Sequence, residues 1–203
     1  MTKILVAGVG NIFLRDDGFG PEVARRLASE GTSAAPFDPV DGIDVRVEDY
    51  GIRGMHLAYD LLDGVDALIL VDAVPGRPVS AGGPGPGSIR VMRIRGDDLE
   101  GEQADGEHGD GDHPGRDYPS EEPDGGNQAG LDPHGMDPLA VLQRLRSLGG
   151  ALPVTYLVGC VPASVDEGMG LSDEVSRAVP EAMDAVRRLL ALNPAVAAAA
   201  QSK

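Results

Sequence analysis

One cysteine, no tryptophan, three phenylalanines and four tyrosines stand among 203 residues. A lone thiol, Cys160, has no internal partner for a disulfide, and with aromatics at 3% the core must be aliphatic. Cationic residues are scarce: 17 Lys and Arg face 33 Asp and Glu, for a net charge of −16. A chain without a Lys/Arg cluster lacks the electrostatic footprint that nucleic acid or an anionic membrane surface requires. Long apolar runs are absent too. The stretch Ile4 to Val9 falls far short of the ~20 residues of a membrane span and of a secretory signal, so the cytoplasm is the expected compartment. Several catalytic signatures are missing: there is no His-Glu-x-x-His helix, no Gly-x-Ser-x-Gly elbow and no Cys-x-x-Cys pair. The length suits one domain over 1–203, since single cores run to about 100–200 residues.

The acidity is local. Gly96 to Gly130 holds twelve acids against one arginine, net −11, and nine glycines with almost no large apolar side chain. Such a segment buries too little surface to offset its ordering entropy, and it is expected to be a disordered insertion that interrupts the domain. His108 and His113 within it read as parts of a solvated acidic loop.

Elsewhere, short aliphatic runs alternate with stretches of helical period, the pattern of an α/β domain. Lys3 to Gly8 reads as a strand buried on both faces. Pro21 suits a first helical turn, with Val23, Ala24 and Leu27 on one face. Asp44 to Glu48 alternates apolar and charged residues as a half-wet strand would, and Gly54 to Leu62 follows as a helix. Ala67 to Val71 is the purest aliphatic run and ends on Asp72. The Pro/Gly-rich connection Val74 to Gly87 has no helical period and cannot cover a parallel crossover, so Ser88 to Ile94 should be antiparallel or at an edge. Asp137-Pro138 opens a helix through Leu148, Val154 to Val161 gives a fifth strand, and Ser172 caps a terminal helix that Pro180 should kink or split. The expected fold is therefore three-layer α/β: a twisted, mostly parallel five-stranded sheet with helices on both faces.

The turn Gly8-Val9-Gly10-Asn11 stands where dinucleotide-binding folds place their glycines. The third glycine of that fingerprint falls on Phe13, and Asp16 and Asp17 would repel a pyrophosphate. The glycines instead suit a tight turn. Cys160 lies in an aliphatic strand and reads as a small hydrophobe, and His56 on its helix as a bystander. What remains is a set of polar residues at element ends: Asp16 and Asp17 after the first strand, Asp49 after the second, Asp72 ending the third, and His134 before a helix. Ligands of open α/β sheets bind at the carboxyl ends of parallel strands, where such residues converge. Carboxylates and an imidazole together would suit nickel, zinc or manganese. The competing reading makes these aspartates caps and turn formers, with Asp16 worth ~1 kcal/mol as a helix cap.

Taken as ordered blocks, these residues resemble the hydrogenase maturation proteases. The first block is Gly8-Val9-Gly10-Asn11 leading to Asp16-Asp17-Gly18-Phe19-Gly20; the second, Asp49-Tyr50-Gly51-Ile52-Arg53-Gly54-Met55. Leu70-Val71-Asp72-Ala73, Asp132-Pro133-His134-Gly135-Met136-Asp137 and Val158-Gly159-Cys160-Val161-Pro162 follow in order. The long acidic insertion departs from the pattern, as does Asp132, where a small hydroxyl residue is common.

The resemblance implies that Asp17, Asp72 and His134 are the metal ligands and catalytic residues, and that Asp49 serves substrate recognition. It implies an endopeptidase that removes the C-terminal extension from the precursor large subunit of a nickel-iron hydrogenase. The three ligands would probe nickel already carried by that substrate, with zinc or cadmium able to substitute, no organic cofactor and a monomeric enzyme. The ion as Lewis acid and an aspartate as general base both remain open as the means of activating water. Two other classes of function stand beside this one: a non-catalytic nickel-sensing chaperone with the same ligands, and a nucleotide-binding α/β enzyme.

Overall fold

A computed structural model describes residues 2–31, 43–74, 83–99 and 138–192. Five strands form one sheet: β1 (Thr2–Val9), β2 (Ile43–Gly51), β3 (Ala67–Ala73), β4 (Ile89–Ile94) and β5 (Val154–Cys160). Their order is β2-β1-β3-β5-β4. The first four in that order run parallel, and β4 closes the edge antiparallel to β5, with Ile89 opposite Cys160. The Pro/Gly-rich sequence before β4 thus leads to an antiparallel edge strand, as its lack of helical period predicts.

Among the described residues four helices cover the sheet: α1 (Phe19–Gly31), α2 (Gly54–Leu62), α3 (Pro138–Ser147) and α4 (Asp173–Ala191). The two-residue period of the strands sorts them into layers. Ile4, Val6, Ile69 and Val71 face α1 and α4, meeting Phe19, Val23, Leu27, Val179 and Val186. Leu5, Ala7, Leu68 and Leu70 face the other way, onto Leu57 and Leu61 of α2 and Leu142 and Leu145 of α3. Because helices cover both faces, β1 and β3 are aliphatic at nearly every position and almost wholly buried.

α1 rests directly on the sheet through two glycines. A Cβ on Gly8 would lie 2.3 Å from the carbonyl oxygen of Gly20, and one on Gly20 would lie 2.2 Å from the carbonyl oxygens of Val9 and Val71. Gly8 is thus a packing glycine and not a turn former, since its place is dictated by strand-to-helix approach.

Two expectations need correction. The split expected at Pro180 does not occur, since α4 is continuous from Asp173 to Ala191 and Pro180 sits exposed on it. The acidic stretch also begins later than its composition suggests. Gly96–Leu99 forms a 3-10 turn with Leu99 buried against the α2/α3 layer. The Leu99 carbonyl accepts from Gln143 Nε2 at 3.1 Å, and that of Gly96 from Arg146 Nη1 at 3.3 Å. The remainder, 100–130, lies outside the described residues. Among those residues, no helix is long and apolar enough to cross a membrane.

Candidate functional site

Parallel strands send their carboxyl ends to one rim, and the loops that follow β1, β2, β3 and β5 all start there. The loop after β1 returns through a 3-10 turn, Arg15–Gly18, that carries Asp16 and Asp17 into the interior before α1 begins. Asp17 is 7% exposed and Asp72, near the end of β3, 4%. Asp17 Oδ2 accepts from the Asn11 N–H at 2.7 Å, and Asp72 Oδ1 from the Ala73 N–H at 2.8 Å.

Gly10 brings the two together. Its φ of +129° is open to glycine, and a Cβ there would lie 1.9 Å from the Asp17 carbonyl oxygen and 3.6 Å from Asp72 Oδ1. Both aspartates therefore border the same glycine at the carboxyl edge of adjacent strands. Both glycines of the turn are packed on their Cβ side, Gly8 against Gly20 and Gly10 against Asp17. A buried carboxylate stands where a pyrophosphate would need N–H groups, which weighs against the nucleotide reading.

Asp49 pairs with Gly8 in the β1–β2 register and is exposed at the same rim. Its carbonyl accepts from the Arg53 guanidinium. Next to it Tyr50 is buried, and its hydroxyl donates to Asp60, which Arg46 pairs at 3.0 Å. Burial and that bond push the Tyr50 hydroxyl above its usual pKa, so the phenol stays neutral and anchors the turn between β2 and α2. Asp49 also lines an open cleft of about 420 Å³ beside Gly18, Ile12, Arg15 and Met169.

Asp16 differs from its neighbour. It is fully buried, and its carboxylate accepts from the N–H groups of Ala163 at 2.8 Å, Ser164 at 3.0 Å and Ser172 at 2.6 Å, and from Ser172 Oγ at 2.9 Å. It is a knot between the β1 loop and the loop before α4, far more than a cap for α1. The only local hint was an acidic pair; the four donors lie some 150 residues away and left no periodic signal.

His134 lies outside the described residues, as do His108 and His113. His56 is exposed on α2. Among the described residues no three His, Cys, Asp or Glu side chains gather as a metal-binding group. Asp17 and Asp72 supply two oxygen donors of the kind a divalent ion accepts. Cys160 is fully buried, and burial together with the charge of Asp16 pushes its thiol up to about 12, which leaves it inert as a nucleophile.

No family model matches the chain. The Rhodobacter capsulatus hydrogenase expression/formation protein HupD is 38% identical over 72 residues, which are 36% of this chain and 30% of that protein. The chain thus matches less than a third of that relative's length, and 44% of a second curated relative. Structural similarity extends further. The hydrogenase maturating endopeptidase HybD from E. coli superposes with a TM-score of 0.60 at 23% identity, covering 95% of this chain and 94% of that one. A hydrogenase 2 maturation peptidase from Thaumarchaeota archaeon SCGC_AB-539-E09 gives 0.53 at 26% identity, over 95% and 99%. The chain is therefore similar to the hydrogenase maturation proteases in fold over nearly its whole length, and to a hydrogenase formation protein in sequence over about a third of it.

Proposed function

We propose that this protein is an endopeptidase of hydrogenase maturation, which removes the C-terminal extension from the precursor large subunit of a nickel-iron hydrogenase once nickel is in place. The observation that carries the reading is the pair of buried aspartates, Asp17 and Asp72, both bordering Gly10 at the carboxyl rim of a sheet whose fold is shared with such endopeptidases. Buried carboxylates persist where they are hydrogen-bonded or ligating, and these two are held by backbone N–H groups at the rim where the loops after the parallel strands start.

In this proposal the nickel is part of the substrate. Asp17 and Asp72 bear on it, His134 is the third donor, and Asp49 at the cleft receives the substrate's polar groups. Recognition through an ion carried by the substrate couples cleavage to successful nickel insertion, and the protein works as a cytoplasmic monomer. Its own residues hold the donors still: Asn11 fixes Asp17, the Ala73 N–H fixes Asp72, and Asp16 ties down the loop from which Asp17 projects.

Incubation with nickel-loaded precursor, followed by intact-mass measurement of the large subunit, tests the reading. Loss of the tail's mass supports it. A changed metal content with unchanged mass would make the protein a nickel-sensing chaperone instead.

A further inference from the structure

The cleft beside the candidate site holds a cation whose role the aspartate site leaves unexplained. Arg15 has φ +47°, the only non-glycine positive φ among the described residues. Left-handed backbone is unfavourable for a long side chain and persists only where the surroundings enforce it. Here they do. The Arg15 N–H donates to the Gly168 carbonyl at 2.9 Å, and the Gly168 N–H to that of Phe13 at 2.8 Å. The Arg15 side chain then lies across Gly168, where a Cβ would come within 3.1 Å of Nε. Two loops, one after β1 and one after β5, are thereby zipped together, and the guanidinium is held along the seam.

That guanidinium makes no hydrogen bond or ion pair with any described residue, whereas Arg25 and Arg26, which line the same cleft, both bond Glu22 at 2.6 and 2.7 Å. The cleft also carries Glu22, held by the two arginines, and Asp49, but exposed apolar side chains stand beside Arg15. Ile12 is 46% exposed, Phe13 61% and Met169 74%, and Ile12 and Met169 line the cleft with Arg15. An oriented planar cation with no partner among the described residues, flanked by exposed apolar side chains, is complementary to a carboxylate adjoining an apolar group, which a guanidinium can take in a bidentate grip.

We propose that Arg15, with Ile12 and Met169, is a substrate-positioning element that docks a segment of the precursor large subunit presenting a carboxylate beside an apolar side chain. The proposal rests on the maturation reading for the identity of its occupant. It places the docked segment in the cleft beside Gly18 and Asp49, next to the aspartate pair, so that one loop serves both tasks. The carboxylate can belong to an acidic side chain or to the end of the precursor chain.

Binding and processing of the precursor large subunit are measured separately, for the wild type and for Arg15→Gly, Arg15→Lys and Met169→Ser. Arg15→Gly suits the left-handed backbone and so removes the cation without adding strain. It is expected to weaken binding and raise KM about tenfold or more with kcat nearly unchanged, and to flatten the salt dependence of binding. Arg15→Lys should recover part of the loss, since it restores the charge without the planar fork. Neutralising the acidic side chains of the precursor's tail, or extending the tail to move its terminal carboxylate away, identifies the source: the change that abolishes the difference between wild type and Arg15→Gly names the partner group. Wild-type KM and binding in Arg15→Gly would overturn the proposal, as would a fall in kcat at unchanged KM. Arg15-dependent binding without any cleavage would sink the protease reading and leave the docking element standing; absence of both binding and cleavage in the wild type would overturn the two together.

Discussion

Asp16 ties two distant loops together, and its removal should cost the fold several kcal/mol. Its buried carboxylate accepts four hydrogen bonds, three from backbone N–H groups of the loops at 163–164 and 172. Hydrogen bonds to a charged group contribute about 1.5–3 kcal/mol each, and a buried donor left unpaired costs about 1–3 kcal/mol. The three N–H groups are only partly buried, so water recovers some of the loss and the four terms do not add in full. Asp16→Ala should cost about 3–5 kcal/mol, against ~1 kcal/mol for a simple helix cap. Asp16→Asn should be nearly as damaging, because its amide must turn a donor toward some of the same N–H groups. Ser172→Ala removes one of the four bonds and the cap on the Val175 N–H and should cost about 2–3 kcal/mol. Urea denaturation followed by circular dichroism reads these differences. With a slope of about 2 kcal/mol/M, the Asp16→Ala midpoint should fall by roughly 2 M. A fall of about 0.5 M or less would refute the knot and return Asp16 to the role of a cap.

Gly10→Ala should yield protein that fails to fold or unfolds well below the wild type, since its Cβ would collide with the Asp17 carbonyl in a backbone conformation alanine avoids; a soluble variant with an unchanged midpoint would contradict the turn's geometry. Replacing 100–130 with a short Gly/Ser linker should leave a cooperative melt, whereas starting the deletion at Gly96 should cost about 1.5–3 kcal/mol more through loss of buried Leu99; equal melts would show that Leu99 contributes nothing. Cys160 stays protonated in the fold up to about pH 12, above its ordinary 9.0. Its contribution is therefore fully present below pH 9 and lost as pH rises toward 12, and Cys160→Ala should flatten that alkaline decline in urea midpoints. Pro180→Ala should stabilise α4 by roughly 1–3 kcal/mol, since the site is exposed and helical; a lower melting temperature would show that the proline serves α4 in another way.

How much of this was legible beforehand depended on range. Strands and helices were readable because their signal is periodic and local: the unbroken aliphatic run of β3 needs cover on both faces, and helices on both faces supply it. The antiparallel β4 followed from a linker that could not be a helix. That Asp17 and Asp72 both border Gly10 followed from topology, since parallel neighbours end at one rim. The knot at Asp16, the left-handed Arg15 and the burial of Leu99 were not legible, because each depends on contacts with residues more than forty positions away. Pro180 misled because the burial of one face of α4 against the sheet holds the helix together through a residue whose local cost opposes it. The third donor, His134, stands outside the described residues and rests on the resemblance alone.

The most direct test of the central claim is the intact mass of precursor large subunit, nickel-loaded and nickel-free, after incubation with the wild type and with Asp17→Asn, Asp72→Asn and His134→Ala. Loss of the tail only from loaded precursor and only with the wild type is the predicted result, with His108→Ala/His113→Ala remaining active. Equal cleavage of nickel-free precursor, or cleavage by the Asp17→Asn and Asp72→Asn variants at the wild-type rate, would contradict it.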